Sequence, residues 1–194
     1  MRTILSVGSF RCWLVLVVIY SVSGCGVISS MLAERAINEH WYKVYPAAPS
    51  ENPVSATHYV TIDFEGQQLS SINQLEWSSD GFFLGAYSHF GGAMFSLAYQ
   101  NNELRSKISP AIPAYFNAEL VLRDYHLSLL PLEALEPGLV DDSVEIIQSG
   151  MKRVFRREGQ DLVSIAYSAN TPWVGNLKLV NHESGYTLTF EALP

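Results

Sequence analysis

Cysteine is what this chain most conspicuously lacks: 2 among 194 residues, Cys12 and Cys25. With Cys12 in an amino-terminal apolar run, no pair of thiols remains for a disulfide framework, a zinc cluster or a cysteine nucleophile with a partner thiol. Positive charge is nearly as scarce, with 12 Lys and Arg against 19 Asp and Glu and a formal net charge of −7. Such a surface is repelled by phosphate backbones and anionic headgroups, so bulk electrostatics favours neither nucleic acid nor a membrane surface as partner. The sequence holds no H-E-x-x-H, no G-x-S-x-G, no P-loop and no G-x-G-x-x-G after a strand. Its histidines (His40, His58, His89, His126, His182) follow no ligand spacing, so no metal and no cofactor is expected. The adjacent pair Asp141-Asp142 points two ways from one backbone and reads as solvated loop charge rather than an acid/base couple. No internal repeat and no low-complexity tract is visible.

What is present begins with an export signal over residues 1–24. Arg2 and Arg11 precede the apolar run Trp13 to Tyr20, and Ser21-Val22-Ser23-Gly24-Cys25 follows. That run is far shorter than the roughly 20 apolar residues a spanning helix needs. Ser23 and Gly24 directly before Cys25 resemble a bacterial lipobox, which implies cleavage between Gly24 and Cys25 and lipid on Cys25. The plainer alternative is an ordinary cleaved signal followed by an incidental cysteine; the cysteine count favours lipidation. Each acyl methylene buried in a bilayer contributes about 0.8 kcal/mol, so several chains give stable anchoring. By resemblance to Gram-negative lipoproteins, Gly26 in place of aspartate implies delivery to the outer membrane. Removing Arg2 and Arg11 with the leader takes the formal net charge from −7 to −9, so attachment must come from lipid rather than charge.

Residues 25–55 read as a lipidated tether with one short helix over 28–41, ended by the proline-rich run from Pro46 to Pro53. The folded domain is expected over residues 56–194. From there the apolar residues recur with period two: Val60 to Phe64, Leu75 to Trp77, Phe82 to Phe90, and Phe95 to Tyr99. After Pro113 the period becomes helical, from about Tyr115 to Leu130, with Ala118, Val121, Leu122, Tyr125 and Leu129 on one face. Phe116, Leu120 and Leu127 form a second apolar stripe. Either this helix is simply buried between sheet and loops, or it plugs a curved sheet with one stripe facing a ligand cavity. Strands resume over Val144 to Ile147, Met151 to Arg157, Leu162 to Tyr167, Gly175 to Val180 and Tyr186 to Glu191, punctuated by Ser149-Gly150, Glu158-Gly159 and Ser184-Gly185. Roughly nine strands and one inserted helical segment give a mainly β (α+β) fold, a curved antiparallel sheet or half-open barrel.

Several stretches together resemble one bacterial lipoprotein family, the domain-of-unknown-function family 3261. They are Trp77 to Tyr99, Ser109-Pro110-Ala111-Ile112-Pro113-Ala114, Leu122-Arg123-Asp124-Tyr125-His126-Leu127, Pro131-Leu132-Glu133-Ala134-Leu135 and the tail Arg153 to Phe190. The resemblance covers nearly all of residues 56–192. One departure is Leu130, where family members often carry tryptophan before Pro-Leu-x-x-Leu. The resemblance implies an architecture like that of LolA and LolB, half-open antiparallel barrels that hold acyl chains under a helical lid. It also implies kinship with accessory lipoproteins of aryl polyene or related lipid-tail pathways, and it carries over no catalytic residue.

The expectation is therefore a non-enzymatic outer-membrane lipoprotein, lipid-anchored on the periplasmic face, whose curved sheet encloses an apolar cavity for a lipid or acyl group. Its candidate lining is Ile62, Phe64, Phe95, Leu97, Tyr99, Phe116, Leu120, Leu127, Leu188 and Phe190. Arg153, Arg156 and Arg157, in the basic run 152–157, either protect an exposed strand or contact a carboxylate or phosphate headgroup. The alternative is a protein-interaction or assembly factor for an envelope or lipid-tail pathway, with an outward apolar patch and no cavity. A hydrolase would need a hydroxyl, base and acid to converge in space.

Overall fold

The computed structural model describes residues 41–47, 52–112 and 116–194; Cys25, the leader and all but the last residue of the helix expected over 28–41 lie outside the described residues. Among the described residues the strands are β1 Val54–Phe64, β2 Gln67–Ser78, β3 Gly81–Tyr87, β4 Ala93–Gln100, β5 Glu103–Ile108, β6 Val144–Ser149, β7 Lys152–Arg157, β8 Gln160–Tyr167, β9 Leu177–Asn181 and β10 Tyr186–Ala192. They form one antiparallel sheet in the order β5-β4-β3-β2-β1-β10-β9-β8-β7-β6. Helix α1, Ala118–Leu129, and two 3-10 turns at Leu132–Ala134 and Glu136–Gly138 join β5 to β6.

Tight turns set the registers. Glu65-Gly66, Asn101-Asn102 and Glu158-Gly159 all hold positive φ at both positions, the geometry of two-residue turns whose twist matches the strands they join. Phe64 thus pairs with Gln67, and the β1–β2 hairpin runs in register as far as Val54 opposite Trp77. Alternation then delivers Val60, Phe64, Leu75, Trp77, Phe82, Leu84, Leu97, Ile165, Leu179 and Phe190 to one buried core.

The sheet must curl. Tyr125 of α1 packs edge-on to Phe82 of β3 at 5.8 Å, while the carbonyls of Leu127 and Leu130 accept from Arg153 of β7 at 2.7 and 2.8 Å. Those strands are six steps apart in the sheet order, about 29 Å if flat at ~4.8 Å per step. A helix about 10–12 Å across reaches both only if the sheet wraps it.

Sequence also fixes the limits of α1. The Asn117 side chain accepts from Glu119 and Leu120 N–H at 2.8 and 3.3 Å, capping the start, so the helix begins at Ala118; Tyr115, the expected start, lies outside the described residues. Pro131 turns Leu130 extended and ends it. From Leu122 to Leu129 every residue is buried, whatever face it lies on.

Two expectations are corrected. Strand β5 falls in a stretch read as turn and connector: Glu103, Arg105 and Lys107 alternate with Leu104, Ser106 and Ile108, and at a sheet edge the charges guard against further pairing rather than mark a loop. The packed body also starts before Ala56. Within the segment read as tether, Trp41 and Tyr42 are buried in the core, and Tyr42 pairs with Leu139. Residues 41–47 form a strap: Trp41 lies 5.4 Å from the ring of Phe155, and the Trp77 indole donates to the Ala47 carbonyl at 2.6 Å.

Gly138 is what lets the strap lie flat. A Cβ there would sit 2.4 Å from the Tyr42 ring. Gly138→Ala is expected to cost about 1–3 kcal/mol by overpacking, read as a lower urea midpoint with an unchanged slope; an unaltered midpoint would show that the strap does not depend on this contact.

Candidate ligand-binding site

Hairpin connectivity brings the β2–β3 and β4–β5 turns to the same end of the sheet. Trp77 at the end of β2, Phe82 at the start of β3 and Tyr99 at the end of β4 face the interior there, in register with one another. Strap residues Pro46 and Ala47, and His126 from the last turns of α1, close the other sides. Together with turn residues 78–81 and 100–102 they enclose a half-open cavity of about 530 Å³, within the size range of small-molecule sites. Its inner side is backed by buried rings, Trp77 meeting Phe82 edge-on at 5.1 Å and His126 at 5.1 Å with planes 31° apart, while its mouth is polar, with Asp80, Gln100, Asn101 and Asn102.

His126 ties cavity, helix and strap together. The Tyr42 hydroxyl lies 3.3 Å from its Nδ1 and the Tyr45 ring 6.2 Å from its own; the Tyr45 hydroxyl in turn donates to the Ala134 carbonyl. Burial pulls the His126 pKa down to about 3, so the ring is a neutral aromatic wall. The same burial pushes the Tyr42 hydroxyl far above its usual range.

A second polar cluster sits deeper, at the middle of α1. Arg123 and Asp124, adjacent and both buried, pair at 3.1 Å, and the Tyr186 hydroxyl donates to Asp124 at 2.5 Å. Burial raises the Asp124 carboxyl pKa, with the Arg123 charge pulling the other way. Arg123 also stands 6.0 Å over the Trp41 ring, whose indole donates to Glu183 at 2.8 Å. Buried on all sides and without a cavity, this cluster fixes the helix and the strap to β10.

Among the candidate lining residues, Tyr99 reaches the cavity. Ile62, Phe64, Phe95, Leu97, Leu188 and Phe190 share its face of the sheet, as their pairings require. Leu97, Leu127 and Phe190 are fully buried in the packed core, and Phe64 is buried as well. Ile62 and Leu188, opposite each other on β1 and β10, are half-buried against it. Phe95 and Phe116 meet at 4.6 Å, and Leu120, in the first turn of α1, is half-buried. The cavity is thus walled by Trp77, Phe82 and His126, none of which was a sequence candidate. Period two marked the first two as inward-facing, but only the turns beyond them leave that end of the core unfilled.

The basic run is spoken for within the protein. Arg156 pairs with Asp161 at 2.7 Å, and Arg157 reaches Asp141 at 3.4 Å and Glu183 at 3.0 Å. Arg153 alone of the three has no carboxylate at ion-pair distance among the described residues; it is 5% exposed and caps the end of α1. Ser164 Oγ and His182 Nε2 stand 3.0 Å apart on β8 and the β9–β10 turn, but neither lines the cavity, and Asp161 is engaged by Arg156. Among the described residues no three His, Cys, Asp or Glu side chains converge to hold a metal ion, and no helix is long and apolar enough to cross a membrane.

The chain belongs to the family described as "Protein of unknown function (DUF3261)", whose model matches residues 55–194. No curated protein matches it. Among solved structures it is similar to a DUF1329 family protein from Desulfovibrio piger, at 7% identity over 85% of this chain and 89% of that one, with a TM-score of 0.36. It is also similar to a "putative outer membrane lipoprotein-sorting protein domain" from Vibrio parahaemolyticus, at 11% identity over 86% and 90% of the two chains, with a TM-score of 0.33.

The depressed His126 pKa fixes the sign of a pH effect. Above about 6.5, His126 is neutral folded or unfolded and contributes no slope. Below that, the unfolded state takes up a proton that the folded state refuses until about pH 3, so stability falls with pH across that window. The expected slope from this ring is up to about 1.4 kcal/mol per pH unit. Urea titrations at pH 7.5, 6 and 4.5 should show the wild type losing stability faster than His126→Gln; parallel curves would mean that the ring titrates normally.

Proposed function

We propose that this protein is a non-enzymatic lipoprotein of the cell envelope, held at the outer membrane by lipid on Cys25, that binds a lipid or acyl group and helps to transfer it in the periplasm. The observation that carries the reading is the half-open cavity of about 530 Å³ walled by Trp77, Phe82, Tyr99 and His126. Half-buried Tyr99, backed by the buried rings of Trp77, Phe82 and a neutral His126, offers apolar contact, and the polar turns at the mouth, Asp80 among them, suit a ligand with one wet end. The lipobox-like Ser23-Gly24-Cys25 supports the anchor. A role as an assembly factor is the second reading; Phe90, fully exposed in the β3–β4 connection, is the feature that favours it.

The full chain carrying Cys25→Ser, titrated with a fluorescent fatty-acid probe, should enhance probe emission at micromolar concentration, with quenching of tryptophan fluorescence. Tyr99→Glu, placing a carboxylate on the cavity wall, should weaken uptake at least tenfold, a loss of about 1.4 kcal/mol. No enhancement with the folded wild type would sink the acyl reading, and loss on Phe95→Glu but not Tyr99→Glu would move the ligand to the Phe95–Phe116 contact. Metabolic labelling with radioactive palmitate should mark the wild type and not Cys25→Ser.

A further inference from the structure

Arg153 does more than its capping contacts require. Its Nε donates to Gln148 Oε1 at 2.9 Å, and Nη1 donates to the carbonyls of Leu127 and Leu130. The Tyr167 ring lies 5.6 Å from the guanidinium carbon. These contacts use the Nε hydrogen and both on Nη1, leaving the two Nη2 hydrogens as the unclaimed donors. The other arginines among the described residues, Arg105, Arg123, Arg156 and Arg157, each pair with a carboxylate. Arg153 is a buried cation with no carboxylate within ion-pair distance among the described residues; Glu133 acts on it only through space. Burial lowers its pKa, with Tyr167, Tyr42 and Glu133 pulling the other way.

That arginine lines a recess of about 90 Å³, together with Gln148, Met151, Tyr167, Asn170 and Pro172, between the β6–β7 turn and the β8–β9 connection. The recess has room for about three water-sized groups. Near it two apolar side chains are exposed: Met151, which lines it, and Val174, two residues beyond Pro172.

We propose that this recess binds the carboxylate of an acid with an apolar chain, the carboxylate taking the Nη2 donors of Arg153 and the chain lying outward over Met151 and Pro172. The two Nη2 donors left over from the cap match one carboxylate. With Nε and Nη1 already engaged, only one corner of the guanidinium is on offer, enough for a carboxylate but not for the several donors a phosphate dianion calls for. The site shares no lining residue with the Trp77 cavity. It stands or falls apart from the function proposed above.

The test is calorimetric titration of the full chain carrying Cys25→Ser with octanoate, acetate and inorganic phosphate in turn. Octanoate should bind at submillimolar concentration, with acetate and phosphate at least tenfold weaker. Asn170→Asp sets a competing carboxylate in the recess wall and leaves the helix cap alone; it should weaken octanoate at least tenfold with an unchanged thermal midpoint, while Tyr99→Glu leaves octanoate binding intact. Arg153→Met should abolish binding where it folds, and Asn170→Asp carries the test where it does not. Equal octanoate affinity in wild type and Asn170→Asp, tighter phosphate than octanoate, or no binding of any probe would each overturn the proposal.

Discussion

The structure depends on hiding the polar groups of a helix whose last two turns lie in the core. The last two turns of α1 are buried on every side, so each charge and each terminal carbonyl they carry must find a partner away from water. Arg123 and Asp124 neutralise each other and take the Tyr186 hydroxyl. Tyr125 receives a hydrogen bond from Asn73 at 2.9 Å. The closing carbonyls take Arg153, and the Tyr167 hydroxyl donates to the Ser128 carbonyl at 3.0 Å. Those partners come from β2, β10, β7 and β8, so the helix dictates how far the sheet curls and which strands face each other across it.

The same constraint explains why empty space lies at one end of the sheet and not along its middle. The centre of the inner face is occupied by α1 and by Leu84, Leu97 and Phe190. Beyond His126 the chain leaves α1 through Pro131, with Leu130 and Leu135 still buried in the core. The cavity takes His126 into its lining, and the second recess takes Arg153, which holds the Leu130 carbonyl. The strap 41–47 bounds the first through Ala47, with Trp41 and Tyr42 seated in the core upstream.

Much of this organisation is legible in the sequence. Alternation places Phe64, Phe95, Leu97, Tyr99 and Phe190 on one face, and Glu158-Gly159 marks a turn. Asn117 and Pro131 bracket a helix. The edge strand β5 escapes notice because its outward charges imitate a loop, and the strap because Pro46 suggests a break while Trp41 and Tyr42, sixteen and seventeen residues past Cys25, look like tether. The basic run 152–157 shows where cations lie but not which are paired, since Asp141, Asp161 and Glu183 come from three other parts of the chain.

The sequence by itself determined the period of each element, the turns that set strand register, the acidic balance and the lipobox-like Ser23-Gly24-Cys25. Only the tertiary structure decided which inward residues become solid core and which become wall. Whether a phenylalanine faces another side chain or a void depends on volume contributed by strands far apart in the chain, and local spacing carries no record of volume. For that reason Leu97 is packed shut while Tyr99, two residues along the same strand, borders open space.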